Sequence, residues 1–139
     1  MHVVSSNRVC IVGGGPAGLM AAERLAQDGR SAVVVEQMAS VGRKFLLAGR
    51  SGLNLTHAEP LDRLLDRYGT DAALVTSAVR AFTPDDLRAW AEGLGQTTFV
   101  GSSGRVFPES MRATPLLRAW LGRLASLGVD VRTRTRWTG

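Results

Sequence analysis

The sequence of 139 residues is 45% hydrophobic and 21% charged, a balance that is typical of one globular domain with a hydrophobic core and excludes a disordered or fibrous chain. The formal net charge of +5 does not predict a nucleic-acid partner, because the 17 Lys and Arg are scattered along the chain and aromatic residues make up only 6% of it. The single cysteine, Cys10, excludes an internal disulfide and favours a reducing compartment.

The apolar stretch from Val9 to Ala22 predicts neither a targeting segment nor a membrane span. It holds four glycines and a proline, and its fourteen uncharged residues are too few to cross a bilayer. We therefore expect a cytoplasmic location and no membrane partner. Cys10 lies inside this run and is expected to be a buried, small hydrophobic residue. His2, His57 and Cys10 are too dispersed to predict a metal site.

The first predicted strand, Val9 to Val12, breaks into glycines and then becomes a helix. Gly13, Gly15 and Gly18 fit the pattern G-x-G-x-x-G, in which the glycines allow a tight turn, a close approach of backbone to a pyrophosphate, and close packing of helix on strand. A phosphate would lie at the helix start, where unpaired N–H groups and the helix dipole attract an anion. Pro16 suits the first helical position, and Ala17 follows it in the first turn.

A second strand is predicted after this helix. The run from Ser31 to Glu36 contains continuous β-branched residues and is typical of a parallel strand buried on both faces. It ends at Glu36, which comes 23 positions after Gly13 and close to the offset of about 20 residues at which a carboxylate binds the ribose of a dinucleotide. Because this carboxylate would repel a 2′-phosphate, the predicted nucleotide lacks one.

The segment from Gly42 to His57 is rich in glycine and basic residues. Arg43, Lys44 and Arg50 lie close to three glycines, directly after the predicted ribose-binding acid. Such a loop can wrap a dinucleotide and neutralise its phosphates. The alternative is a solvated basic loop without a ligand.

At this segment the sequence resembles a known family. The run V-V-V-E…V-G-R-K-F-L-L-A-G-R-S-G-L-N-L-T-H, after I-V-G-G-G-P-A-G-L-M-A-A, is similar to the amino-terminal part of the BaiN/YhiN-type flavoproteins, also described as the aminoacetone-oxidase family of FAD-binding enzymes. The later run G-R-V-F-P, residues 104–108, resembles that family too, so the likeness covers nearly the whole chain. Plain NAD dehydrogenases do not share the G-R-K motif followed by N-x-T.

The resemblance implies FAD in the first nucleotide site. It implies that the glycine turn and Glu36 hold the ADP half of FAD, and that the pyrophosphate or flavin side is held by Gly42, Arg43, Lys44, Asn54 and Thr56. The family pattern S-G-x-G-R-C-N-x-T-N is not kept, because Ala48, Gly52 and Leu53 replace its serine, its arginine and its cysteine. The roles of those three family residues therefore do not transfer, and the chain is expected to belong to a divergent subfamily.

Residues 58–128 predict a helical insertion with a hairpin near 97–107. Thr83 and Pro84 are typical of a helix start, and Thr114 and Pro115 predict another, whose buried stripe would be Leu116, Leu117, Trp120, Leu121 and Leu124. The four-residue loop Gly101-Ser102-Ser103-Gly104 predicts the hairpin turn.

The last predicted element is a third parallel strand over 129–137. Its residues alternate between apolar and basic, so that one face carries Arg132, Arg134 and Arg136. This basic face predicts either a solvent-facing stripe or an anion-binding surface. The resemblance implies that the strand lies beside the second strand and that the backbone near Trp137 approaches the adenine.

Together these patterns predict an α/β fold, with a Rossmann-like FAD-binding βαβ unit and basic loop over 1–57, the insertion over 58–128 and the third strand over 129–137. The resemblance implies a flavin-dependent oxidoreductase that passes a hydride or electrons between a small-molecule substrate and FAD, with NAD(P)H or oxygen as the second partner. No catalytic residue is predicted within the chain. Two alternatives are an NAD-dependent dehydrogenase fragment and a regulatory module that senses a nucleotide without turning it over.

The resemblance also implies that the family's domain continues beyond this sequence. A substrate domain and a return strand would follow, so this chain alone is expected to hold flavin weakly and to lack turnover. An edge of the sheet beside Val9 to Val12 would then stay unpaired.

Overall fold

The computed structural model describes residues 7–69 and 72–139, which form two compact units. The first unit combines Met1–Leu47 with Leu117–Gly139, and the second is Ala48–Leu116. In chain order the elements are β1 (Val9–Val12), α1 (Pro16–Gln27), β2 (Ala32–Val35), α2 (Arg43–Ala48), a 3₁₀ turn (Gly49–Ser51), β3 (Thr56–His57), α3 (Leu61–Asp66), α4 (Ala73–Ala81), α5 (Pro84–Gly93), β4 (Thr98–Val100), β5 (Arg105–Pro108), α6 (Ala113–Ser126) and β6 (Asp130–Arg132).

The first unit is built on a parallel sheet with the strand order β1-β2-β6. Cys10 pairs with Val33, and Val34 pairs with Val131. Helix α1 makes the crossover between β1 and β2, which confirms the predicted βαβ unit. The residues Ala32, Val33 and Val34 of the central strand are buried, as the continuous apolar run predicts.

Helices α1 and α6 supply the core of this unit. Leu19 and Ala22 of α1 and Leu124 of α6 are fully buried, and Trp120 of α6 is nearly so. The edge of the Phe45 ring meets Trp120, with the ring centroids 6.3 Å apart. Most of the predicted stripe of α6 is buried, namely Leu116, Leu117, Trp120 and Leu124, while Leu121 is only half-buried. The helix begins at Ala113, before the predicted cap.

A buried carboxylate, Glu23, joins α1 to α6. The Trp120 indole N–H donates to its Oε2 at 2.6 Å, and Arg123 donates to its Oε1 at 3.0 Å. Only 1% of Glu23 is exposed, so both oxygens need such donors to offset their lost hydration.

The second unit contains an antiparallel sheet with the strand order β3-β5-β4. Phe99 pairs with Phe107 across the hairpin, whose loop is the predicted four-residue turn. Helix α5 begins as predicted: the backbone N–H of Asp86 donates to Oγ1 of Thr83, and the Asp86 carboxylate accepts from the backbone N–H of Thr83.

The segment from Gly42 to His57 is not the predicted loop. It forms α2, the 3₁₀ turn and β3, and β3 pairs with β5. A helix of six residues is too short for its periodicity to be recognised in the sequence.

The third parallel strand is shorter than the predicted range 129–137. It ends at Arg132, and the left-handed backbone of Arg134 (φ 51°) turns the chain. The predicted alternation of faces therefore stops at Arg132. Within the strand, Asp130 forms ion pairs with Arg8 at 3.0 Å and with Arg132 at 2.9 Å.

The prediction that Cys10 is buried is wrong. Cys10 is exposed, and 59% of Val12 on the same face is exposed too. Strand β1 lies at the end of the three-stranded order, so its residues have a neighbouring strand on one side only.

Among residues 7–69 and 72–139, no helix has both the length and the apolar character that a membrane crossing needs.

Candidate nucleotide site

The glycine turn connects the carboxyl end of β1 to the start of α1. Gly13 takes a positive φ of 104°, which residues other than glycine rarely adopt. A Cβ on Gly18 would overlap the carbonyl oxygen of Gly13, so the missing side chain lets α1 pack on the turn. Two of the predicted roles of the three glycines, the turn and the close packing, are therefore visible in the backbone.

The first turn of α1 has no side-chain cap. Gly15 is the N-cap in extended conformation (φ −82°, ψ −179°), Pro16 follows it, and the N-cap residue gives the first N–H groups no side-chain acceptor. A Cβ on Gly15 would meet no described atom within 4 Å, so the space above it is open. An anion can approach N–H donors here that the helix itself cannot satisfy.

Glu36 lies directly after β2 and faces the glycine turn. Its Oε2 accepts from the backbone N–H of Gly14 at 2.9 Å, and its Oε1 accepts from the backbone N–H of Met38 at 2.8 Å. Each carboxylate oxygen can accept a second hydrogen bond, so the group can still bind a diol.

The carboxylate of Glu36 is stabilised in its ionised form. Hydrogen bonds from the N–H groups of Met38 and Gly14 hold the pKa of Glu36 below its ordinary value of 4.5, and the positive charge of Arg43 acts in the same direction. Glu36 is therefore an acceptor, not a donor, at neutral pH.

Two cavities of the first unit meet at Glu36. The loop cavity, of about 330 Å³, is lined by the glycine turn and the chain before and at α2, namely Gly14, Gly15, Pro16, Glu36, Met38, Ser40, Gly42, Arg43 and Lys44. The strand-end cavity, of about 370 Å³, is lined by the ends of β1 and β2 and the chain after β6, namely Val12, Gly13, Val35, Glu36, Gln37, Thr135, Arg136 and Trp137.

The chain after β6 is fastened to the chain after β2. The backbone N–H of Thr135 donates to the carbonyl of Glu36, and that of Arg134 donates to the carbonyl of Met38, both at 2.9 Å. These bonds bring Trp137, which is 65% exposed, to the strand-end cavity.

The structure brings most of the predicted site residues together in the first unit. The two cavities are lined by Gly13, Gly15, Pro16, Glu36, Gly42, Arg43, Lys44 and Trp137, while Ala17 and Gly18 lie in the first turn of α1. That they contact FAD stays a prediction.

Asn54 and Thr56 belong to the second unit, and their place near the pyrophosphate or the flavin stays a prediction. In the amide orientation that satisfies both of its ends, Asn54 donates to the carbonyl of Thr56 at 2.8 Å and to that of Val106 at 3.3 Å. Asn54 therefore supports the pairing of β3 with β5.

Sequence reasoning missed Gly14, Met38 and Ser40 in the loop cavity. Gly14 occupies the variable position of the glycine pattern, and the other two lie in a connection without a motif. The available signal for Gly14 was the run of three consecutive glycines, of which the pattern requires only the first and the last.

These features suit an anionic nucleotide. The open helix start offers N–H donors, Arg43 and Lys44 offer positive charge, and Glu36 offers an acceptor for hydroxyl groups. At the carboxyl ends of parallel strands, this is the edge where α/β sheets bind ligands.

Comparison with curated proteins gives two kinds of relative. The chain is 28% identical over 103 residues to flavin-containing monooxygenase FMO GS-OX-like 9 of Arabidopsis thaliana, covering 72% of this chain and 21% of that protein. It is 34% identical over 84 residues to the thiamine thiazole synthase of Methanococcus vannielii, covering 60% of this chain and 32% of that protein. The chain thus spans about a fifth to a third of these relatives.

Solved structures share the fold. THI4 from Thermovibrio ammonificans has a TM-score of 0.55 at 20% identity, with 93% of this chain and 40% of that chain covered. Glycine oxidase from Bacillus cereus has a TM-score of 0.52 at 16% identity, with 94% and 48% covered.

The family comparison covers nearly the whole chain, since the model of the HI0933-like protein Rossmann domain matches residues 7–139. The chain therefore belongs to the HI0933-like Rossmann-domain family, the FAD-binding family of BaiN/YhiN type that its motifs resemble.

Proposed function

We propose that the first unit binds the ADP half of FAD and thereby serves a flavin-dependent oxidoreductase. The observation that carries this proposal is the position of Glu36, which lines both cavities and lies beside the uncapped start of α1. One carboxylate thus stands between a place for the phosphates and a place for the adenine.

The residues present fit the three parts of an ADP group. The pyrophosphate would lie over Gly15, where the space among the described residues is open and the N-cap residue offers the first N–H groups of α1 no side-chain acceptor. The ribose hydroxyls would donate to Glu36, and the adenine would occupy the strand-end cavity beside Trp137. Arg43 and Lys44 would offset the phosphate charge from the loop cavity.

FAD supplies the transfer of a hydride or of electrons when it is bound. The described residues bind and orient the nucleotide, and Glu36 excludes a 2′-phosphate by its charge. The substrate, the electron partner and the turnover belong to the whole protein. For these we propose a small-molecule substrate, with NAD(P)H or oxygen as the second partner.

The test is a titration with FAD, FMN and ADP, followed by flavin fluorescence. FAD should bind, ADP should compete with it, and FMN, which lacks the adenosine, should bind far more weakly. Replacing Glu36 by Ala should weaken FAD by about tenfold or more, since it removes charge-assisted hydrogen bonds worth about 1.5–3 kcal/mol each before water compensates.

Asp66→Ala is the matched control, because it removes an exposed carboxylate from the second unit and should leave FAD affinity unchanged. Equal FAD affinity of the wild type and Glu36→Ala would contradict the proposed ribose contact. Tighter binding of NAD than of FAD would favour the dehydrogenase alternative, and FAD binding without reduction in the whole protein would favour the sensing module.

A further inference from the structure

We propose that Gly14 is a positioning residue that fastens the glycine turn to the segment 36–44 before any nucleotide binds. This inference rests on the proposed nucleotide site, but it concerns how that site is held together. Gly14 stands at the variable position of G-x-G-x-x-G, for which the motif gives no reason to require glycine.

Both backbone groups of Gly14 are bonded to the chain after β2. Its N–H donates to the Glu36 carboxylate at 2.9 Å, and its carbonyl accepts from the N–H of Gly42 at 2.8 Å. The first of these bonds is charge-assisted and is therefore stronger than a bond between neutral groups. The turn is thus tied at two points to residues more than twenty positions away.

Packing excludes a side chain at Gly14. A Cβ there would overlap Cγ1 of Val41, would lie 2.9 Å from the Val41 Cβ and would lie 3.4 Å from the Glu36 Cβ. Val41 is buried, with 7% of its surface exposed, so it has little room to move aside. Glycine at this position is a consequence of the close approach of Val41.

The same fastening continues into α2. Gly42 has a positive φ of 69°, and a Cβ on it would lie 2.6 Å from Cδ2 of Leu117 in α6. Its carbonyl accepts from the N–H of Leu46 at 2.9 Å, in the first turn of α2, which begins with Arg43 and Lys44. The turn, its acid and the two cations are therefore linked through Gly14 and Gly42.

A preformed arrangement lowers the ordering cost that a ligand must otherwise meet on binding. If Gly14 is displaced, the N–H donors of the glycine turn and the cations of α2 no longer keep their positions relative to each other. The affinity for an ADP group should then fall although Gly14 contributes no side chain.

The experiment compares Gly14→Ala with two other glycine substitutions in the nucleotide-free chain and in FAD titrations. Gly14→Ala should lower the melting temperature, speed amide hydrogen exchange at Gly42 by about tenfold, and weaken FAD by about tenfold. Gly15→Ala should weaken FAD but keep the wild-type melting temperature and exchange, because a Cβ there meets no described atom within 4 Å. Gly122→Ala, also in open space but inside α6, should not lower the melting temperature, because alanine is the better helix former, and should leave the exchange at Gly42 and the FAD affinity unchanged.

A double-mutant cycle with Val41→Ala isolates the packing contact. The loss of stability caused by Gly14→Ala should be smaller in the Val41→Ala background, because the overlapping Cγ1 is gone. An equal loss in both backgrounds, or wild-type exchange at Gly42 in Gly14→Ala, would overturn the inference.

If Gly14→Ala does not fold, Glu36→Ala provides the same test without a clash. It removes the acceptor of the Gly14 N–H, so exchange at Gly14 should become faster, and unchanged exchange would overturn the inference. The exchange and stability measurements are made without nucleotide. Failure of FAD to bind the wild type would therefore contradict the proposed function. The exchange and stability data would still decide the role of Gly14.

Discussion

Helices α1 and α5 have similar first residues, but they differ in how the backbone N–H groups of the first turn are satisfied. Each has a proline at its first helical position. At α5 the N-cap Thr83 and Asp86 satisfy each other's backbone N–H groups through a complete capping box. At α1 the N-cap is Gly15, which has no side chain to offer. One helix start is closed by its own sequence, and the other leaves its N–H donors uncapped, where we propose that the phosphates bind.

A helix whose start is not capped needs support from other contacts. Helix α1 is held near its middle, where the buried Glu23 accepts hydrogen bonds from Trp120 and Arg123 of α6. Helix α5 has a cap of its own and also packs Ala91 into the core. The absence of a cap at α1 is therefore compatible with a rigid site.

The largest expected effect comes from removing the support of α1. Glu23→Ala should lower the free energy of unfolding by about 3 kcal/mol, since it leaves Arg123 and the Trp120 N–H without their buried acceptor. Urea unfolding followed by tryptophan fluorescence measures this loss. Arg24→Ala, which removes an exposed ion pair one residue away, should cost less than about 1 kcal/mol. Similar losses in both variants would mean that Glu23 does not anchor the helix.

The second prediction closes the start of α1. Gly15→Asp places an N-cap carboxylate on a residue whose extended backbone already suits a cap. FAD affinity should fall more than about tenfold, because the new charge competes with the pyrophosphate for the same N–H groups. The free energy of unfolding should rise by a few tenths of a kcal/mol. FAD affinity within threefold of the wild type would show that the phosphates bind elsewhere.

The third prediction opens the start of α5. Thr83→Ala removes one half of the capping box and should lower the free energy of unfolding by about 1 kcal/mol. FAD affinity should not change, since no proposed contact involves α5. Thermal unfolding and a flavin titration on the same preparation would measure both quantities. A loss of FAD affinity without a loss of stability would mean that the start of α5 contributes to FAD binding.

The smallest expected effect is a pH dependence at Glu36. Because its pKa is lowered in the folded chain, its ionised form stabilises the fold above the ordinary value of 4.5, and this stabilisation is lost as the pH falls through the lowered pKa. The difference in urea midpoint between the wild type and Glu36→Gln should therefore be present at pH 7 and shrink below about pH 4.5. A difference that stays constant down to pH 3 would mean that the carboxylate charge is not involved.

The parts of the site that follow from local pattern could be predicted from the sequence. The glycine turn, the buried run of β2 and the acid after it lie within thirty residues of one another, and each has a characteristic residue type. The Thr83 cap and the hairpin loop were predicted for the same reason. In each case the determining chemistry lies in neighbouring residues.

What could not be predicted depends on distant packing. The exposure of Cys10 depends on which elements cover its face of the sheet, and the burial of Glu23 depends on Trp120 and Arg123, about a hundred positions away. The need for glycine at position 14 follows from the approach of Val41. No local sequence pattern predicts these three features.

The position of β6 at the side of β2 has a consequence for folding during synthesis. Roughly 95 residues separate the end of β2 at Val35 from the start of β6 at Asp130, and the whole second unit lies between them. At a ribosomal rate of about 5–20 residues per second, β6 is synthesised roughly 5–20 s after the Ala32–Val35 strand with which it pairs. For that time an apolar, β-branched strand has an unpaired row of backbone groups, which can be recognised by a chaperone or by another nascent chain. The proposed nucleotide site, at the carboxyl end of that strand, therefore gains its residues after β6 only once the inserted unit has been synthesised.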